Sequence, residues 1–166
     1  GHNVAVAVTG IDGDGPAGLL WLEPGSGSGQ RSAAIALLRE ALDTMNDSGE
    51  GQPLPEQCRR IAELVSREAQ FVFVSPMLDD AAVEAVELWA GFDQPRTVLS
   101  TDIVAANTVS GQYEQVRRRT RLARCQAGGA RAIDWRRGTP LPAILEITFA
   151  VEAKRADAGI RAGGGR

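Results

Sequence analysis

The sequence predicts a three-layer α/β/α fold in which helices cover both faces of a mostly parallel sheet, with an antiparallel hairpin at one edge. Three short apolar segments, QFVFVS, RTVLS and RAIDW, alternate with amphipathic helical patterns, as parallel strands do. A turn rich in Gly and Asp separates the first two strand patterns and favours a hairpin. The 166 residues, 43% of them hydrophobic, are enough for the core of one domain.

The N-terminal half is predicted to form the hairpin and two helices. Asn3–Thr9 and Leu19–Leu22 are the strand patterns. The Gly-rich segment Pro24–Ser32 lacks the Lys of a phosphate-binding P-loop, so we interpret it as a flexible entry to a helix over Arg31–Met45. Pro55 stands near the start of the second helix. The residues expected to face the core are Ile35, Leu38 and Leu42 in the first helix, and Cys58, Ile61, Leu64 and Val65 in the second.

The segment Gln70–Asp80 is predicted to hold the central strand. Its four consecutive apolar residues, Phe71 to Val74, indicate a strand buried on both faces. Ser75 and Pro76 end the strand, and Asp79 or Asp80 is expected to cap the helix that follows. Ligands of open α/β sheets bind where such strands end, so these polar residues are candidates for a site.

The C-terminal third repeats the pattern. The strand at Arg96–Ser100 ends at Thr101 and Asp102, and a helix over Tyr113–Ala127 leads through Gly128 and Gly129 to the strand Arg131–Trp135. In that helix Tyr113, Val116, Thr120 and Ala123 are predicted to face the core. Five arginines are expected to cover the rest of it as a basic patch: Arg117, Arg118, Arg119, Arg121 and Arg124. A last helix is predicted from Gly138–Pro142, with Leu141, Ile144, Leu145, Thr148 and Val151 as its apolar side, before a frayed tail.

The composition narrows the function. The formal net charge of −3 gives no overall attraction to nucleic acid. His2, at the N-terminus of the sequence, is the only histidine, so acid–base catalysis by histidine is not expected. Cys58 and Cys125 lack metal-ligand spacing and are expected to be buried thiols of a reducing compartment. No apolar run is long enough to span a membrane.

Four segments carry a resemblance to a known family: LLWLEPGSGSGQR, QFVFVSPMLDDAAVEAV, RTVLSTD, and RRRTRLARCQAGGARAIDW followed by PL. In that order and spacing they resemble the C-terminal part of domain-of-unknown-function 58 proteins, notably archaeal-type members, which end in a von Willebrand factor A-like domain. The resemblance covers nearly all of Asn3–Val151. It implies a partial domain over residues 1–156 that lacks its first strand and helix. Residues 157–166 have no periodic pattern and are expected to be a disordered tail. We therefore expect marginal stability that improves when upstream residues are restored.

The resemblance also bears on metal binding. In such domains the missing strand carries an Asp-x-Ser-x-Ser motif, and a further Asp follows the strand equivalent to FVFVS, where this chain has Pro76. We therefore expect no metal site and no cofactor.

Three functions remain open. The first is a non-enzymatic interaction or adaptor module that acts beside a MoxR-type AAA+ ATPase. Such a module is expected to be cytoplasmic or to lie at the cytoplasmic face of a membrane. Contact with the membrane would be made only by upstream segments absent from this sequence. Its candidate surface is the crest of the sheet, formed by Ser75, Asp79, Asp80, Thr101 and Asp102. The second is a hydrolase or phosphoryl-transfer enzyme that uses the crest carboxylates. The third is a weak nucleic-acid binder that uses the arginine cluster. We favour the first and expect no catalytic residues.

Overall fold

The computed structural model describes residues 3–11, 13–15, 19–47, 53–66, 68–92, 95–104 and 107–144, with the backbone alone for 45–47. The chain divides into two compact units. Unit 1 comprises Gly1–Ala69 and Glu84–Gln94, and unit 2 comprises Gln70–Val83 and Pro95–Arg166. None of the helices in the described part of the chain is long and apolar enough to cross a membrane.

Unit 1 contains two strands, β1 (Val4–Val8) and β2 (Leu20–Gly25), and two helices, α1 (Gly27–Asp47) and α2 (Leu54–Leu64). Unit 2 contains the strands β3 (Phe71–Val74), β4 (Arg96–Thr101) and β5 (Arg131–Trp135), and the helix α4 (Val109–Ala127). The helix α3 (Asp80–Leu88) begins in unit 2 and ends in unit 1, where a 3-10 turn over Trp89–Phe92 follows it.

The described strands form two sheets. β1 and β2 pair antiparallel, with Val6 opposite Leu22 and Val8 opposite Leu20, as the hairpin pattern predicted. β3, β4 and β5 form a sheet in that order, and the prediction that these three strands are parallel is confirmed. The prediction that the hairpin lies at the edge of this same sheet is wrong, because no ladder among the described residues joins the two sheets. The hairpin instead buries apolar side chains against α1, in a cluster of Ile11, Leu20, Ala41, Val8 and Leu37.

The most buried strand is β4 rather than β3. Residues 97–100 of β4 are all buried, since strands flank it on both sides. β3 stands at one end of the strand order; Phe71 is buried, Phe73 is partly buried, and Val72 and Val74 are 59% and 61% exposed. The prediction that this segment is buried on both faces is therefore wrong, because an edge strand is covered less than a central one.

Helix α1 also departs from its predicted orientation. It begins at Gly27, inside the segment predicted as a flexible loop. Leu37 and Ala41 pack against the hairpin, whereas the residues predicted to face the core are largely exposed. These are Ile35, Leu38 and Leu42, with exposures of 44%, 50% and 63%. In α2, by contrast, Cys58 and Ile61 are buried as predicted, although Leu64 is 42% exposed.

The chain after β5 is described only to residue 144. Residues 141–144 are helical, in agreement with the predicted last helix. Leu145, Thr148, Val151 and the predicted tail over residues 157–166 lie outside the described residues.

Candidate functional site

The crest residues that follow β3 are held by local hydrogen bonds. The Ser75 hydroxyl accepts from the Met77 N–H at 3.1 Å. The Asp79 carboxylate accepts from the Ala82 N–H at 2.9 Å, which makes Asp79 the predicted cap of α3. Met77 is fully buried and has φ +55°, a left-handed backbone conformation that is rare outside glycine. This turn is therefore a tightly bonded structural element.

The other two crest residues lie at the C-terminal end of β4. Thr101 and Asp102 are half-buried. The Asp102 N–H donates to the Trp135 carbonyl at 2.9 Å, which continues the pairing of β4 with β5. The Asp102 Oδ1 atom is buried without a hydrogen-bond partner. Within the described part of the chain, no group of three or more His, Cys, Asp or Glu residues is placed to hold a metal ion.

Helix α4 is turned away from its predicted orientation. Thr108 caps it, because its hydroxyl accepts from the Gly111 N–H at 3.0 Å. The residues predicted to face the core are exposed: Tyr113 by 61%, Val116 by 60%, and Thr120 and Ala123 also to solvent. The buried residues of α4 are Gly111, Arg118, Arg121, Leu122 and Cys125. The prediction of the inward side of α4 is therefore wrong.

Arg118 fixes this orientation from the middle of the helix. It is 2% exposed. Its Nε donates to the Ser100 hydroxyl at 3.0 Å, and its Nη2 donates to the Ser100 carbonyl at 2.9 Å. The same Nη2 forms an ion pair with the Asp134 Oδ1 at 2.7 Å. Because Ser100 belongs to β4 and Asp134 to β5, one guanidinium joins α4 to two strands.

Arg121 provides a second connection, to the segment after β3. It is 4% exposed, its Nε donates to the Asp80 Oδ1 at 2.9 Å, and its Nη1 donates to the Met77 carbonyl at 3.5 Å. The hydrogen bond from Arg121 lowers the pKa of Asp80, and the positive charges of Arg121, Arg117 and Arg124 lower it further. Asp80 is thus an ionised structural partner of α4.

The five arginines do not form one surface patch. Arg118 and Arg121 point inward, and only Arg117, Arg119 and Arg124 are exposed. Arg117 forms an ion pair with Glu114 at 3.4 Å, and its guanidinium carbon lies 5.8 Å from the centroid of the Tyr113 ring. The predicted basic patch is corrected to three exposed arginines.

Opposite the buried side of α4 lies a continuous exposed face, which we call the α4 seam. It consists of Val109, Tyr113, Val116, Thr120, Ala123 and Ala127, all of them exposed. Val109 is 85% exposed. Arg117 and Arg124 border the seam on one side, and Arg119 borders it on the other. Beside it lies a shallow depression of about 170 Å³. This depression is lined by Asp80, Val116, Arg117, Thr120, Arg121 and Arg124.

The sequence does not predict that the seam is exposed, because α4 carries two sets of residues with helical spacing. Tyr113, Val116, Thr120 and Ala123 have the spacing of a core-facing side, but so do Gly111, Arg118, Leu122 and Cys125. Arginine counts as polar in such patterns, so the pattern of apolar residues favours the first set. The signal that could have identified it is the polar pair Ser100 and Asp134 inside two strands, which offers acceptors for a buried guanidinium.

Comparison of the chain with protein-family models, curated proteins and solved structures finds no match in any of the three. The candidate site is therefore defined by this chain's own residues. Of its crest groups, Ser75, Asp79 and Asp80 are bonded within the chain. Among the described helical residues of unit 2, the large exposed apolar side chains belong to the α4 seam.

Proposed function

We propose that this chain is a non-enzymatic protein-interaction module that contacts its partner through the α4 seam. The observation that carries the proposal is the exposure of Val109, Tyr113 and Val116 on one line of α4, by 85%, 61% and 60%. Contiguous exposed apolar residues with a polar rim are typical of protein–protein contact sites. Since Arg118 and Arg121 anchor the opposite side, this line stays at the surface.

The bonding of the crest supports a role without catalysis. An enzyme of the hydrolase or phosphoryl-transfer class needs a nucleophile, a base and a stabilising group that converge on one point. Here Ser75 and Asp79 bond the turn after β3, and Asp80 bonds Arg121. Asp102 is the crest carboxylate with a buried oxygen that has no hydrogen-bond partner, so it is the residue on which the catalytic alternative depends.

The distribution of arginines favours a protein partner over nucleic acid. Two of the five guanidinium groups are buried and bonded to carboxylates of unit 2. The remaining three border an apolar line, and the chain as a whole carries a net charge of −3. The resemblance to domain-of-unknown-function 58 proteins makes a MoxR-type AAA+ ATPase, alone or in a membrane-associated assembly, the first partner to test.

The test uses a photo-crosslinking amino acid at position 113. Adducts formed in cell extract are identified, and the protein found is then purified and titrated against the parent chain and two variants. Val116→Glu places a charge in the seam, whereas Ile103→Glu changes an equally exposed side chain outside α4 (60% in both cases). We expect Val116→Glu to weaken binding about ten-fold or more, since it buries an unpaired charge, and Ile103→Glu to leave it unchanged.

Two results would contradict the proposal. One is equal binding of the parent and the Val116→Glu variant. The other is turnover of a phosphoester or carboxylic ester that Asp102→Asn abolishes in a folded protein.

A further inference from the structure

The spacing of the α4 seam is that of a coiled-coil contact. Its six residues follow one another at alternating intervals of four and three positions, from Val109 to Ala127. This alternation places Tyr113, Thr120 and Ala127 at a positions of a heptad, and Val109, Val116 and Ala123 at d positions. At a rise of 1.5 Å per residue the seam is about 27 Å long, which matches a partner helix of about three heptads.

The residues beside the seam select the charge of that partner. Arg117 and Arg124 occupy successive e positions, and Arg119 occupies a g position between Gln112 and Gln126. Side chains at e and g positions determine the partner of a coiled coil through ion pairs. Glu114 is at a b position, further from the contact line, and it is bonded to Arg117 along the same helix. Three cations and no carboxylate therefore border the seam at its e and g positions.

We propose that the α4 seam binds an acidic amphipathic helix of another protein, with carboxylates opposite Arg117, Arg124 and Arg119; this inference rests on the proposed function. The apolar line supplies the packing surface, and the arginines supply the selection. The depression beside Val116 and Thr120 is lined by four charged side chains, of which Asp80 and Arg121 are bonded to each other. A carboxylate of the partner would lie there next to the other two, Arg117 and Arg124.

A second copy of this chain is a poorer occupant. In an antiparallel pair of α4 helices the e positions face each other, so arginine would meet arginine. In a parallel pair Arg119 would face Arg124 of the other copy. Like charges at these positions disfavour pairing, as they do in natural coiled coils.

The test compares two synthetic three-heptad peptides by fluorescence anisotropy. Both have Leu at every a and d position; one has Glu and the other Lys at every e and g position. We expect the Glu peptide to bind about ten-fold tighter than the Lys peptide at low salt, because each exposed ion pair contributes modestly and three are reversed. This preference should shrink in high salt.

Charge-exchanged variants make the test specific. Arg117→Glu combined with Arg124→Glu is expected to invert the preference, so that the Lys peptide binds tighter. Arg39→Glu, an exposed arginine on α1, is the matched control and should leave the preference unchanged. Val116→Glu should abolish binding of both peptides, while Ile103→Glu should not. Circular dichroism verifies that each variant is folded.

Four results would overturn the inference. Equal affinity for the two peptides would show that the seam does not select an acidic partner. Failure of both peptides to bind, with a partner still crosslinked through position 113, would remove the helical partner but leave the interaction module standing. Sedimentation of a dimer that Val116→Glu dissociates would show that a second copy occupies the seam. Tighter binding of a short DNA duplex than of the Glu peptide, lost on reversal of Arg117 and Arg124, would assign the arginines to nucleic acid.

Discussion

Removing the guanidinium of Arg118 should destabilise unit 2, because three hydrogen bonds converge on it. The side chain is 3% exposed and reaches two acceptors of Ser100 and one of Asp134. A hydrogen bond to a charged group contributes about 1.5–3 kcal/mol. The bond to Asp134 contributes less to the free energy of unfolding, about 1 kcal/mol, since that carboxylate is 34% exposed and can be rehydrated.

Two bonds at the lower end of the range together with the weaker one give about 4 kcal/mol. This loss is partly offset, because the variant no longer has to desolvate a buried charge when it folds. We therefore expect Arg118→Ala to lose about 3 kcal/mol of unfolding free energy. Arg118→Met should lose about 2 kcal/mol, since it restores part of the buried stem at about 0.8 kcal/mol per methylene.

Urea unfolding followed by circular dichroism measures these differences. Arg119→Met is the matched control, because Arg119 is the next residue along α4 and is exposed. Its stability should stay within about 0.5 kcal/mol of the parent. A stable Arg118→Met protein together with a destabilised Arg119→Met protein would refute the orientation of α4.

Three further predictions concern other parts of the chain. Gln57→Leu should lose about 2 kcal/mol in urea unfolding, because its fully buried amide bonds a backbone N–H and a carbonyl of the segment after β1; unchanged stability would contradict this. The hydrogen bond from Arg121 lowers the pKa of Asp80, so the pair stabilises the fold above the ordinary carboxyl pKa, and this stabilisation is lost as the pH falls through the lowered pKa. The parent should therefore lose more stability on acidification than an Asp80→Asn variant. Equal losses would contradict this prediction. Burial raises the pKa of Cys58 to about 12, and Cys125 is buried as well. Neither thiol should therefore react with Ellman's reagent before the protein unfolds. Fast reaction of the native protein would contradict their burial.

The sequence predicted those features that depend on neighbours along the chain. The hairpin, the strand Arg131–Trp135, the cap at Asp79 and the end of α4 at Gly128 and Gly129 follow from local backbone preferences. Each of these is decided within a few residues, by turn chemistry, capping or the absence of a Cβ.

The orientation of α4 and the place of the hairpin depend on partners far along the chain. Ser100 and Asp134 provide hydrogen-bond acceptors that offset the cost of burying the Arg118 guanidinium. The pattern of apolar residues in α4 contains no information about these acceptors. The apolar segment Phe71–Val74 likewise predicts a central strand, although burial of a strand is decided by its neighbours in the sheet. The candidate surface followed from these tertiary contacts, so the sequence pointed to the crest instead of the seam.

Cysteine labelling of α4 tests the central claim that the seam faces solvent and the arginine-bearing side faces the sheet. The native thiols are both buried, so a single introduced cysteine can be followed with a maleimide. Val116→Cys and Ala123→Cys should react at nearly the rate of a free thiol, whereas Leu122→Cys, at a position 7% exposed, should react at least about ten-fold more slowly in the folded protein. Fast labelling at position 122 with slow labelling at positions 116 and 123 would contradict the orientation of α4, and with it the surface that we propose for the partner.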